Sequence, residues 1–281
     1  MDYLKKAKYF KTKKRLGQNF LVSEDVIGDI IKFANLSNDD TVLEIGAGAG
    51  FVTEQLVKYA KHVIAIELDE DAISELQKIK ADNLEIVHAD ILKTDISQFK
   101  TDKKIKIVAN IPYYITTPIL AHLLGEIDDL DNKNRQSIDE IILMVQEEVA
   151  KRMTANETSP QKQYGLLSIL SQFWSDCTLL RIVGARCFYP KPKVTSALVK
   201  LVLNDKPLLE LTDYKHFRKT IKGAFGQRRK NLKNALINGG FDKDIVKTAL
   251  EELKIDENTR GEKLSIQDFG KLSEVLLCKS K

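Results

Sequence analysis

Five short apolar runs recur between residues 41 and 145, and four of them lead straight into a segment with helical periodicity. The predicted strands are Thr41 to Ile45, Val63 to Ile66, Leu84 to Val87, Ile105 to Ala109 and Ile141 to Val145. Strands that alternate with helices form parallel sheets with right-handed crossovers, and continuous apolar runs are typical of strands buried on both faces. The sequence therefore predicts an α/β fold built on a parallel sheet.

The pattern changes in the last quarter of the chain. Two further strands, Thr178 to Val183 and Ala197 to Leu203, are predicted on either side of a proline-rich turn. The polar segment 204–207 then ends the strand pattern, and only helical periodicity follows. A chain of 281 residues has the length of about two domains. We therefore expect an α/β domain over residues 1–204 and a small helical domain over residues 205–281.

Composition excludes several classes of protein. The longest clear apolar run, Ile141 to Val145, is far shorter than the ~20 residues of a membrane span, and no apolar stretch follows the basic N-terminus as in a secretory signal. Cys177, Cys187 and Cys278 form no close pair, and the four histidines lack metal-ligand spacing. We expect a cytoplasmic protein without disulfides or a bound metal.

Two acid-free basic segments interrupt an otherwise acidic chain. Residues 5–15 and 215–233 hold 15 of the 44 Lys and Arg residues, so the remainder carries 29 basic against 40 acidic residues. A single charge run is usually a solvated helix face, but two on an acidic background favour a polyanionic partner. Composition alone does not distinguish RNA from DNA or an anionic membrane.

The first predicted strand ends in a glycine loop, Gly46-Ala-Gly48-Ala-Gly50, and a helix is predicted after it. Glycines there let the backbone approach a ligand, and Glu67, 21 residues after Gly46, can bond ribose hydroxyls at the end of the second strand. The pairing suits NAD and an adenosyl ligand alike. The third glycine is one position too early for the dinucleotide pattern, and the adjacent acid Glu44 disfavours a diphosphate, so the loop favours a cationic or amino-bearing ligand.

Polar residues also follow the third and fourth predicted strands. Asp90 can accept a hydrogen bond from an adenine amino group, or merely cap a turn. In Asn110-Ile111-Pro112-Tyr113, the Asn110 side chain and the Ile111 carbonyl offer two acceptors for the hydrogens of an exocyclic amine. Pro112 would fix the backbone, and Tyr113 offers a face on which a base can stack. A plain strand-end turn with a buried tyrosine is an equal alternative for the tetrapeptide alone.

Together these residues resemble the S-adenosylmethionine-dependent adenine-N6 methyltransferases. Four more segments are similar to the rRNA adenine dimethyltransferases, the last of them to the KsgA branch: Leu16 to Leu21, Gln163 to Ser168, Phe188 to Ser196 and Phe225 to Leu236. The resemblance runs in order from about residue 13 to about residue 270. Thr195 departs from it, since the family usually has Asp there, and Ala89-Asp90-Ile91 is a variant of the usual acidic turn.

The resemblance implies a fold, a cofactor and a set of contacts. The fold is a Rossmann-like seven-stranded class I methyltransferase domain with a small all-helical C-terminal RNA-binding domain, and the cofactor is S-adenosyl-L-methionine. The residues implied to contact it are Asn19, Leu21, Gly46, Gly48, Glu67, Asp90 and Asn110.

The implied reaction is N6 dimethylation of two adjacent adenosines in the 3′-terminal hairpin loop of small-subunit (16S) rRNA. The implied substrate is that RNA or the assembling 30S subunit, and we expect a monomer. Asn110, Ile111, Pro112 and Tyr113 would form the catalytic turn, with Phe188 clamping the target base opposite Tyr113. The basic residues expected to contact RNA are Arg15, Lys222, Arg228, Arg229, Lys230 and Lys233.

Three other interpretations remain open at this point. An Erm-type enzyme, which modifies one adenosine of large-subunit rRNA, shares nearly all of Gly46 to Tyr113. A binding protein could keep the fold without methyl transfer, as an assembly or transcription factor. An NAD-dependent oxidoreductase is disfavoured by the glycine spacing and by the lack of a catalytic His or Tyr/Lys arrangement.

Overall fold

The computed structural model describes residues 2–10, 12–13, 16–227 and 229–280. The strands are β1 (Phe20–Leu21), β2 (Thr41–Ile45), β3 (His62–Glu67), β4 (Leu84–His88), β5 (Ile105–Asn110), β6 (Ile138–Gln146), β7 (Ser175–Val183), β8 (Phe188–Tyr189) and β9 (Ser196–Leu203). The helices are α1 (Tyr3–Tyr9), α2 (Glu24–Ala34), α3 (Thr53–Leu56), α4 (Glu70–Leu76), α5 (Thr116–Leu124), α6 (Lys133–Gln136), α7 (Glu147–Met153), α8 (Leu166–Phe173), α9 (Tyr214–Gly226), α10 (Leu232–Asn238), α11 (Lys243–Glu252) and α12 (Ile266–Lys279).

Seven strands form one sheet in the order β4-β3-β2-β5-β6-β9-β7. Strands β2 to β6 run parallel to one another, and β9 runs antiparallel to β6. All seven strands predicted from the sequence are present. The carboxyl ends of β2, β3, β4 and β5 therefore meet at one edge of the sheet, where α/β proteins bind ligands.

Burial explains why the predicted strands were so apolar. Val42 and Leu43, which point to opposite faces of β2, are both completely buried. In β5, Ile107 and Val108 are buried in the same way. The interior of the sheet is thus covered on both sides, as its continuous apolar runs predicted.

Helix α3 is shorter than the predicted helix over residues 51–59. After Leu56, the amides of Lys58 and Tyr59 donate to carbonyls three residues back, at Gln55 and Leu56. The end of the predicted helix is therefore a tighter turn.

Contacts divide the chain into two units that are each described separately. One contains residues 1–125, 131–150 and 176–203, and the other contains residues 126–130, 151–175 and 204–281. The second unit is thus larger than the C-terminal segment 205–281 expected from the sequence. The added residues include α8, whose Phe173 is completely buried with its ring 5.4 Å from that of Phe217 in α9. Helix α8 belongs to the helical unit because its apolar side chains pack against helices that lie far away in the sequence. The pattern of the sequence near the boundary does not show this packing.

The N-terminal basic segment contains a helix that the sequence analysis did not predict. In α1, Tyr3 and Ala7 are buried one helical turn apart, and the Tyr3 ring lies 5.0 Å from that of Phe51. The lysines of α1 occupy its other faces, and Lys6 pairs with Glu54 at 2.7 Å. Two apolar positions are enough to dock this short helix, but they are too few to form a recognisable period.

None of the helices in the described part of the chain combines the length and apolar character that crossing a membrane requires.

Candidate active site

An open pocket lies at the carboxyl ends of β2 to β5, and its empty space of about 1060 Å³ includes a region open to solvent. Its lining includes all seven residues that the sequence analysis expected to contact a cofactor: Asn19, Leu21, Gly46, Gly48, Glu67, Asp90 and Asn110. Ile111, Pro112 and Tyr113 line it as well. Residues that are up to 94 positions apart in the sequence thus meet in one cavity because four parallel strands end beside one another.

The glycine loop after β2 requires glycine for its backbone conformation. Gly46, Gly48 and Gly50 have φ angles of 72°, 56° and 81°, in the left-handed region that other residues rarely adopt. Gly48 is also crowded, since a Cβ added there would lie 2.9 Å from the ring of Phe20. Phe20 lines the pocket and was not expected from the sequence. It therefore closes the side of the pocket that faces the loop.

Glu67 holds this loop to the end of β3. One carboxylate oxygen accepts the Gly48 amide at 2.7 Å, and the other accepts the amides of Leu68 at 2.7 Å and Asp69 at 2.9 Å. The Gly46 amide donates to the Ile66 carbonyl at 2.9 Å. Glu67 thus has a structural role beside the ligand-binding role expected from the sequence.

Glu44 is a second carboxyl group in the lining, and it is 4% exposed. Burial raises its pKa to about 8, with a smaller contribution from Glu67, although the Thr53 hydroxyl donates a hydrogen bond to the carboxyl group. The group is therefore mostly uncharged at neutral pH. A cation in the pocket would favour its ionised form.

Asp90 caps a turn, which is one of the two roles considered for it, and the residue also lines the pocket. One oxygen accepts the amide of Leu92 at 3.0 Å and caps a short 3₁₀ turn over Ile91–Lys93. The side chain also lines the pocket. The cap fixes the carboxylate at the pocket wall, where its second oxygen has no hydrogen-bond partner among the described residues.

Asn110 is the last residue of β5 and is half-buried in the lining. Among the residues that the structure describes, its side-chain amide has no hydrogen-bond partner. A half-buried amide usually has one, so the unpaired group is suited to bind a ligand. Tyr113 follows in a 3₁₀ turn and also faces the cavity. Tyr114, which the sequence analysis assigned no role, stands at the rim with 63% of its surface exposed.

Ionic and polar contacts fasten the segment before β1 over the pocket. Lys13 pairs with Asp69 and, at 2.6 Å, with Asp71, and the Gln18 side chain donates to Asp69 at 2.6 Å. Burial alone would raise the pKa of Asp69, but hydrogen bonds from Lys13 and Gln18 outweigh it and hold that pKa below its ordinary value. Lys13 belongs to the basic segment 5–15, and its ammonium group is paired within the protein, with Asp69 and Asp71.

Phe188 does not line this pocket. It is 2% exposed, lies opposite Leu21 in the β1–β8 pair and packs in the same apolar cluster as α2. In this conformation it is a core residue, and the clamp over a base that was expected from the sequence is not formed. An aromatic residue in a proline-rich turn looks the same in sequence whether its ring faces a ligand or the core.

The basic residues expected to contact RNA fall into three groups. Lys222, Arg229 and Lys230 are exposed and form no ion pair with another described residue. Lys233 pairs with Glu257 at 2.5 Å. Arg15 and Arg228 lie outside the described residues. Lys222, Arg229 and Lys230 are thus exposed basic residues of the helical unit, and we refer to them as the exposed basic cluster.

The pocket fits an adenosyl sulfonium compound better than a dinucleotide. Gly48 and Phe20 lie close together and form an apolar part of the lining. The polar part includes the carboxyl groups of Glu44, Glu67 and Asp90 and the amide of Asn110. Acidic groups repel phosphates and attract a sulfonium or ammonium group. Among the described residues, no three His, Cys, Asp or Glu side chains are placed to hold a metal ion.

Comparisons with known proteins identify the family of the chain. The family model described as ribosomal RNA adenine dimethylase matches residues 9–277. Ribosomal RNA small subunit methyltransferase A from Clostridium botulinum (strain Loch Maree / Type A3) is 42% identical over 95% of this chain and 94% of its own length. The protein of that name from Clostridium perfringens (strain SM101 / Type A) is 41% identical over 95% of this chain and 91% of its own length.

Two solved structures share the fold over nearly the whole chain. A dimethyladenosine transferase from Plasmodium falciparum has a TM-score of 0.73 and 30% identity, covering 89% of this chain and 94% of that one. The 23S rRNA methyltransferase ErmE has a TM-score of 0.68 and 25% identity, covering 92% of this chain and 99% of that one. These similarities confirm the methyltransferase fold, and the match over residues 9–277 places the chain in the ribosomal RNA adenine dimethylase family.

Proposed function

We propose that this chain transfers methyl groups from S-adenosyl-L-methionine to N6 of two adjacent adenosines in the 3′-terminal hairpin loop of small-subunit (16S) rRNA. The observation that carries the proposal is the unpaired amide of Asn110 beside Tyr113, in a pocket that begins at the glycine loop. Relatives at 41% to 42% identity named for the small subunit support it, against 25% for ErmE. In this proposal the substrate is rRNA in an assembling 30S subunit in the cytoplasm, and the chain acts as a monomer.

Cofactor binding follows from the polar groups around the pocket. Glu67 accepts hydrogen bonds from ribose hydroxyls, and the second oxygen of Asp90 accepts one from the adenine amino group. Asn19 and Leu21 cover the methionine end, beside Gly46 and Gly48. The cofactor supplies a sulfonium methyl group, which is already a strong methyl donor.

Asn110 prepares the target amine for attack. The lone pair of an adenine amino group is delocalised into the ring, which makes it a poor nucleophile. Acceptance of its hydrogens by the Asn110 side chain and the Ile111 carbonyl would localise that pair for attack on the methyl group. The N–C bond would form as the S–C bond breaks, with S-adenosylhomocysteine as the leaving group and the proton of the methylated amine lost to solvent. Pro112 fixes the turn and Tyr113 stacks on the base, so catalysis consists of positioning and the exclusion of water. A hairpin loop suits this chemistry because its bases are cheap to extrude.

Methyl transfer onto ribosomal subunits tests the activity directly. We would offer small and large subunits that lack the relevant methylations, together with labelled cofactor, and then identify the labelled nucleoside. We expect N6,N6-dimethyladenosine in small-subunit rRNA only. Label confined to large-subunit rRNA would assign the chain to the Erm type, and bound cofactor without label would identify a non-catalytic assembly factor.

Asn110→Ala tests the proposed acceptor. We expect single-turnover methyl transfer at saturating cofactor to fall by a factor on the order of 10² to 10³, as when one preorganised polar contact to a reacting group is removed. The thermal unfolding midpoint should stay near that of the wild type, because this amide has no partner within the described residues. A near-normal single-turnover rate would exclude the role.

Glu44→Gln tests the charge of the pocket. Because the pKa of Glu44 is raised to about 8, its negative charge is absent below that pH and appears above it. The ratio of affinities for cationic S-adenosylmethionine and S-adenosylhomocysteine, which has a neutral sulfur, should therefore rise between pH 6 and pH 9. We expect a rise on the order of tenfold, equivalent to about 1.4 kcal/mol of attraction.

The two ligands share their other ionisable groups, so those titrations largely cancel in the ratio. In Glu44→Gln the ratio should not vary with pH. Equal pH dependence in variant and wild type would show that another group is responsible. Calorimetric titration of both ligands at each pH makes the measurement.

The exposed basic cluster Lys222, Arg229 and Lys230 provides RNA affinity in this proposal. Reversal of all three charges to Glu should weaken RNA binding and reduce the slope of log Kd against log salt by about 2, at roughly 0.7 to 0.9 per lost phosphate contact. Cofactor affinity should not change. The matched control reverses Lys243, Lys247 and Lys271, which are exposed lysines of the same unit. An equal loss in both triple variants would indicate net charge rather than a binding surface.

A further inference from the structure

The hydroxyl of Tyr113 forms a hydrogen bond with the hydroxyl of Ser196. Tyr113 lines the pocket, whereas Ser196 is completely buried and does not line it. Burial raises the pKa of Tyr113, and the bond to Ser196 only partly offsets this, so the phenol stays protonated at neutral pH. The bond thus joins neutral groups and persists across the working pH range.

Sheet register gives Ser196 a fixed place beside the catalytic turn. Ser196 is the first residue of β9 and pairs with Gln146, the last residue of β6. On its other side β6 pairs with β5, where Asn110 lies opposite Met144. The Glu147 amide donates to the Thr195 carbonyl at 3.0 Å and extends this ladder. Backbone hydrogen bonds therefore hold Ser196 at the edge of the sheet from which the Asn110 turn begins.

The turn itself contributes little to holding the ring of Tyr113. Tyr113 follows Pro112 in a three-residue 3₁₀ turn, and only the backbone of the turn is closed by a hydrogen bond, from Ile115 to Pro112 at 3.1 Å. The χ1 and χ2 torsions of a tyrosine allow several ring orientations when nothing else restricts them. The bond to Ser196 attaches the hydroxyl end of the ring to the sheet and so restricts these orientations.

We propose that Ser196 is a positioning residue for methyl transfer. Its buried hydroxyl fixes the ring of Tyr113 at the pocket wall, so that an adenine stacked on the ring presents its amino group to Asn110. The inference rests on the proposed adenine methyl transfer, and it assigns a task to a residue that does not touch the substrate. Reactivity depends steeply on orientation, so a ring free to turn would lower the rate without abolishing it.

A double-mutant cycle on Ser196→Ala and Tyr113→Phe tests the proposal. Each variant removes one partner of the bond and leaves the aromatic ring in place. We expect each to lower kcat by a similar factor, about fivefold to tenfold for one lost hydrogen bond, with unchanged cofactor affinity. The double variant should be no slower than either single variant, because both remove the same contact.

Ser137→Ala provides the matched control. Ser137 is 3% exposed in the same unit, precedes β6 at its other end and donates to the Lys133 carbonyl at 2.8 Å. We expect this variant to lose some thermal stability and to keep the wild-type kcat. Cofactor binding and the unfolding midpoint of every variant check that it is folded.

Three results would overturn the proposal. They are a wild-type kcat in folded Ser196→Ala, multiplied losses in the double variant, and an equal kcat loss in Ser137→Ala. Each is distinct from a failure of the proposed function, in which the wild type itself would transfer no methyl group to adenine.

Discussion

The carboxylate of Glu67 is the contact on which the pocket depends. It accepts backbone amides from Gly48, Leu68 and Asp69, and so ties the loop after β2 to the chain leaving β3. A carboxylate that accepts several N–H groups is held firmly in place. The glycine loop can then hold its left-handed conformations, and Phe20 can pack against Gly48 without closing the cavity.

Acidic groups line the pocket, whereas basic residues are exposed on the helical unit. The lining holds three carboxyl groups, one of them buried with a raised pKa, and this suits a cation better than a phosphate. Lys13 forms ion pairs with Asp69 and Asp71, whereas Lys222, Arg229 and Lys230 are exposed on the helical unit. In the proposed function, a small cationic cofactor and a polyanionic RNA would bind surfaces of opposite sign, which would reduce competition between them.

Most of the sheet and several residues of the candidate site could be predicted from the sequence, because each depends on local patterns. Seven strands were marked by apolar runs, and their polar ends, from Gly46 to Asn110, come together wherever parallel strands lie side by side. Packing between distant segments is what local patterns do not show. Phe188 resembles a clamp in sequence and lies in the core in this conformation, Lys233 forms an ion pair with Glu257, and α8 groups with residues beyond the sequence boundary.

The sequence by itself determined the fold class and the family, and it identified part of the lining of the pocket, including Gly46, Glu67 and Asn110. These follow from hydrophobic period, glycine positions and short motifs, all of which act over a few neighbouring residues. Only the tertiary structure decided which polar groups form hydrogen bonds within the protein. The side-chain amide of Asn110 has no partner among the described residues, whereas Glu67 accepts three backbone amides. The hydroxyl of Tyr113 is hydrogen-bonded to that of Ser196, 83 residues away. The physical reason is that a hydrogen bond requires two groups within about 3 Å, and the distance between residues far apart in the chain is fixed by packing alone.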